Sequence, residues 1–80
     1  MMKTGRQQIE YILDGDKLKK SIWIKRRIHD EIGISEMCKK IGISRSTLHR
    51  FEKGKEIDLS TFLKLCAYTE ISPSAFIILK

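Results

Sequence analysis

The segment from Ile34 to Lys55 constrains this chain more than any other stretch. Its first half places Ile34, Met37, Cys38 and Ile41 at i, i+3, i+4 and i+7, the spacing of one buried helical face. Gly42 follows where a helix can end in a left-handed residue, Ile43 turns inward, and Ser44 stands where a hydroxyl can cap a new helix. From Ser44 to Lys53 only Leu48 and Phe51 are clearly apolar, so most of this second helix cannot be core, and Gly54 closes it. Two short helices joined by a tight turn, the second basic and exposed, need the rest of the chain to supply a core beneath them.

The flanking sequence reads as helix throughout, with no convincing strand. Thr4 to Leu13 puts Ile9, Ile12 and Leu13 on one face, and Asp14-Gly15-Asp16 supplies a turn and a cap. Leu18 to Asp30 interleaves Ile22, Trp23, Ile24 and Ile28 with five Lys and Arg, a basic amphipathic helix that should stop near Gly33, its apolar residues used as core. Asp58 or Ser60 caps a further helix whose Leu59, Phe62, Leu63, Cys66 and Ala67 form an apolar stripe ending around Thr69. A last helix starts at Ser72-Pro73 and carries Phe76 to Leu79, more apolar surface than its own packing needs. The expectation is an all-α, compact bundle of five or six short helices, with residues 1–16 a helical N-terminal extension and residues 17–80 the main domain.

Charge narrows the function. The net charge is +6, but Lys17 to Lys55 holds twelve Lys and Arg against four acids, so the positive charge belongs to the middle of the chain and suggests a polyanionic partner. No apolar run approaches the roughly 20 residues that span a bilayer, and the N-terminus has no signal-peptide segment, which predicts a cytoplasmic protein without membrane contact. Cys38 and Cys66 form no CxxC pair, and with His29 and His49 they lack the usual zinc spacings; they read as buried small hydrophobes. No phosphate-cradling glycine loop and no nucleophile–base set is present, so neither an enzyme nor a bound metal or cofactor is expected.

The stretch MCKKIGISRSTLHRFEKGK, Met37 to Lys55, resembles the helix-turn-helix of the lambda-repressor and Cro-like, or Xre, family of transcriptional regulators. The likeness extends from about Trp23 to Leu79 and rests on the Met37-Cys38 pair, the Ile41-Gly42-Ile43-Ser44 turn, Arg45-Ser46-Thr47-Leu48, and Glu52-Lys53-Gly54-Lys55. It implies a lambda-repressor-like fold that lays Ser44–Lys53 in the DNA major groove, which admits an α-helix. Arg45, Ser46 and Arg50 then occupy base-contacting positions, and Ser44, Thr47, His49, Lys53 and Lys55 phosphate-contacting ones. The residues agree in part, since Arg45, His49 and Lys53 at i, i+4 and i+8 form a cationic face opposite Leu48 and Phe51. An arginine offers two parallel donors to guanine, so G·C pairs are expected in each half-site.

The resemblance also pairs Glu52 with Arg27 as a structural ion pair, which would turn that acid inward. Departures are Ile34 where the family commonly has a phosphate-binding Gln, Cys38 and Cys66 in place of core Ala, and Glu70 in place of a helix-ending Gly. The implied function is sequence-specific binding of double-stranded DNA by a repressor, a homodimer on an inverted repeat. The alternative is the antitoxin of a toxin–antitoxin pair, binding a toxin protein as well as its own operator.

Overall fold

A computed structural model describes residues 11–79 of the chain. Strand β1 (Tyr11–Leu13) leads into helix α1 (Gly15–Ile24), which runs on as a π-helical turn over Lys25–Asp30. Helices α2 (Ile34–Ile41), α3 (Arg45–Glu52) and α4 (Leu59–Thr69) follow, then a 3-10 turn over Pro73–Phe76 and strand β2 (Ile77–Leu79). The fold is mostly helical, with four α-helices around one core that takes Leu18 and Ile22 from α1, Met37 and Cys38 from α2, Leu48 and Phe51 from α3, Phe62, Leu65 and Cys66 from α4, and Phe76.

Two expectations change at the ends of the chain. The all-helical reading gives way to a small sheet, in which β1 and β2 pair antiparallel with Ile12 opposite Ile78 and Leu13 opposite Ile77. Among the described residues there are four α-helices where five or six were expected. Tyr11–Leu13 is strand where the first expected helix was to end, and residues 4–10 of that helix lie outside the described residues. The expected last helix is one 3-10 turn that buries Phe76 completely, followed by strand. A run of three or four apolar residues carries too little periodicity to separate helix from strand, and β-branched Ile77 and Ile78 favour strand once a partner is beside them.

α1 is capped by Asp14, whose carboxylate accepts the Lys17 N–H at 3.1 Å. Its buried face is Leu18 and Ile22, one turn apart. Trp23, Ile24 and Ile28, expected as core, instead stand 49%, 39% and 59% exposed. The first two lie off the buried face by one and two helical steps, and the π turn, with its wider i to i+5 closure, rotates Ile28 away as well. The helix ends at Glu31, which takes the left-handed conformation (φ 53°), while Gly33, the expected stop, is extended and leads into α2.

The π turn delivers Asp30 to a polar cluster that ties the end of α1 to α2 and α4. Its carboxylate accepts the Tyr68 hydroxyl at 2.8 Å, Lys25 Nζ at 3.2 Å and Lys40 Nζ at 3.4 Å. The tyrosine hydrogen bond, with the two ammonium groups, holds the Asp30 carboxyl below its ordinary range, and its bond to Asp30 in turn raises the Lys25 ammonium. α4 turns differently from the expected stripe: Phe62, Leu65, Cys66 and Thr69 face inward, and Leu59, Leu63 and Ala67 face outward. Burial pushes both the Cys38 and the Cys66 thiol up, so they behave as apolar packing groups.

Candidate nucleic-acid interface

The turn between α2 and α3 fixes where α3 points. Gly42 adopts φ 87°, and its N–H and that of Ile43 both bond the Cys38 carbonyl, at 2.8 and 3.1 Å. A Cβ at Gly42 would meet nothing within 4 Å, so backbone conformation rather than space is what calls for glycine there. Lys64 of α4 donates its ammonium to the Gly42 carbonyl at 3.2 Å, pinning the turn from below.

Ser44 caps α3. Its hydroxyl accepts the Thr47 N–H at 3.0 Å and lies 2.8 Å from the Thr47 hydroxyl. Two hydroxyl protons serve one hydroxyl–hydroxyl bond, which leaves the other free to meet an acceptor outside the protein. Beyond the cap, Leu48 and Phe51 are buried at 3% exposure each, while Arg45, Ser46, His49, Arg50 and Lys53 are all exposed. The one face of α3 that meets solvent is thus polar and cationic along its length, and it carries no acid before Glu52.

Each residue expected to contact DNA lies on α3 or in the segments that flank it. Arg45 starts α3 and donates to the Ser35 hydroxyl of α2 at 3.2 Å, a hold that depends on the angle between the helices and leaves no mark in the sequence. Ser46 and Arg50 lie one turn apart, and Arg50 borders a hollow of about 220 Å³ shared with Thr47, Glu56, Asp58 and Thr61. Lys53 caps the helix C-terminus, and Lys55 follows in the exposed loop, its N–H bonded to the Arg50 carbonyl at 3.0 Å. Asp58, which caps α4, accepts the Thr61 N–H at 2.9 Å, and hydrogen bonding from Thr61 holds its carboxyl below the usual range.

The expected Arg27–Glu52 pair does not form among the described residues. Arg27 is exposed and lies over the Trp23 ring, 5.7 Å from its centroid, and Glu52 is exposed instead of turned inward. Arg26 rather than Arg27 shares a cleft with Glu52. The end of α3 is instead met by Lys19, which donates to the Glu52 carbonyl at 3.3 Å and complements the negative helix terminus. Lys19, Ser35 and Lys64 are the positioning residues that sequence reasoning missed. All three act through backbone atoms or hydroxyls of distant elements, for which local patterning gives no signal.

Residues 24–80 match the family described as the Cro/C1-type HTH DNA-binding domain. No curated protein and no solved structure shows significant similarity to the chain. Among the described residues, no helix is long and apolar enough to cross a membrane.

Proposed function

The chain belongs to the Cro/C1-type helix-turn-helix DNA-binding domain family, and on that premise we propose that it represses transcription as a dimer bound to an inverted repeat in double-stranded DNA. The observation that carries this reading is the exposed polar face of α3, seated on the core through Leu48 and Phe51, with nothing in the described residues laid over it. Arg45, Ser46 and Arg50 read base edges, the arginines through paired donors to guanine. Ser44, Thr47, His49, Lys53 and Lys55 hold phosphates and supply salt-sensitive affinity.

Dimerisation is favoured by a second feature. A hollow of about 360 Å³ beside the sheet is lined by Ile12, Leu13, Ile57, Leu59, Phe62 and Ile77 with Asp58, and among the described residues no Lys or Arg borders it. Leu59, 70% exposed, sits seven residues beyond the end of α3. A two-fold contact sets each residue against its own copy's patch, so in a chain of net charge +6 it needs a surface free of cations. Two copies joined there would present two α3 helices for half-sites about 34 Å apart.

Selection of bound sequences from a random duplex library near physiological salt tests the reading, run beside the Arg45→Ala, Arg50→Ala double variant. A two-fold-symmetric, G·C-containing motif that vanishes in the variant is the expected result. Salt-sensitive binding without a motif would reduce the role to backbone contact, and no binding would overturn it. Sedimentation equilibrium of Leu59→Lys separates the dimer from the base contacts: the variant should remain a monomer at concentrations where the parent associates.

A further inference from the structure

We propose that the cleft between α1 and α3 docks an acidic, amphipathic segment of a partner protein. The cleft holds about 360 Å³, and its floor reaches the core: Met37, Leu48 and Phe51 line it beneath Trp23. Lys20 and Arg26 stand at its rim, with Glu52 the one acid among the lining residues. Outside the rim the exposed face continues along α1 through Ile24, Arg27 and Ile28, with Arg27 stacked on Trp23.

Charge decides which occupant suits this surface. A second copy of the chain would bring Lys20, Arg26 and Arg27 against their own images, which is unfavourable in a two-fold contact. DNA would satisfy the cations, but its phosphates gain nothing from a half-exposed tryptophan, two exposed isoleucines and an apolar floor. A helix that inserts one or two large apolar side chains into the cleft and carries carboxylates on either side satisfies both features at once. The aromatic anchor beside cations is also the composition that concentrates binding energy at protein interfaces.

The site is coupled to the recognition helix, because Leu48, Phe51 and Glu52 belong to α3. An occupant that sets carboxylates beside α3 lowers its affinity for DNA, and DNA lowers the affinity of the occupant by the same factor. This consequence alone rests on the DNA-binding reading; the docking itself can be measured without DNA.

Trp23 is the single tryptophan of the chain, so its emission reports the site directly. The probe is a tryptophan-free synthetic peptide with Leu at i, i+3, i+4 and i+7 and Glu elsewhere, titrated into the full chain, with a control peptide in which Lys replaces Glu. The acidic peptide should shift the Trp23 emission to the blue saturably and bind about tenfold tighter than the basic one. The Lys20→Glu, Arg27→Glu variant, changed at two exposed positions and checked for unaltered helical circular dichroism, should invert that preference. Equal binding of both peptides, or a preference that survives in the variant, would overturn the proposal. So would a blue shift on raising protein concentration alone, which assigns the face to a second copy, or a loss of DNA affinity in the variant beyond about tenfold, which assigns it to DNA.

Discussion

Helices α1 and α3 are both short, both basic and both half turned to solvent, yet they dispose of carbon in opposite ways. α3 buries its two large apolar residues and, up to Glu52 at its end, shows solvent only polar and cationic groups. α1, with the π turn that continues it, buries Leu18 and Ile22 but leaves Trp23, Ile24 and Ile28 outside among its cations. Cations on a carbon-free face match a partner made of phosphates and base edges. Cations around exposed carbon match one that brings both acids and apolar side chains. Net charge cannot separate these two surfaces; the placement of a few isoleucines and one tryptophan does.

The largest effect should come from removing carbon that α3 buries. Phe51→Ala is expected to cost about 3–5 kcal/mol of stability, read by denaturant unfolding, since the ring is packed among residues of every helix in the core. Next in size, Arg50→Ala should leave stability unchanged while costing about 1–3 kcal/mol in discrimination between a matched and a mismatched duplex. A uniform loss across all sequences would move Arg50 from base to phosphate contact. Ser44→Ala removes the cap that accepts the Thr47 N–H and should cost about 1 kcal/mol of stability, seen as a lowered thermal midpoint.

The anchoring of α1 can be probed by pH. Asp30 has its carboxyl held below the ordinary value near 3.8, so its contribution is present above that value and is lost as pH falls through the lower, folded-state value. The melting temperature of Asp30→Asn should therefore lie below that of the parent at neutral pH, and the gap should close in acid; a gap independent of pH would mean packing rather than charge anchors the helix. The smallest effect belongs to the exposed carbon of α1. Ile28→Ser should change stability by no more than about 0.5 kcal/mol, and a larger loss would show that this face is part of the core after all.

Much of the candidate interface could be read locally. The boundaries of α2, the Gly42 turn, the Ser44 cap and the inward placement of Leu48 and Phe51 are set by residues within one or two turns of each other, where spacing and capping chemistry act directly. The Asp58 cap of α4 and its end near Thr69 are local in the same sense, although Glu70 takes the left-handed position that glycine usually fills.

The sequence by itself determined that two capped helices flank a glycine turn and that the second of them is cationic and mostly exposed. Only the tertiary structure decided the rest. The pairing of β1 with β2 joins residues some 65 positions apart, and a three-residue strand exists only when its partner is present. The π turn ends on Asp30, whose carboxylate is held by Tyr68 and Lys40 from outside α1 altogether. Periodicity assigns apolar residues to faces, but which face meets the core depends on the angles between elements. For that reason Trp23 and Leu59 read as core in the sequence and stand at the surface in the fold.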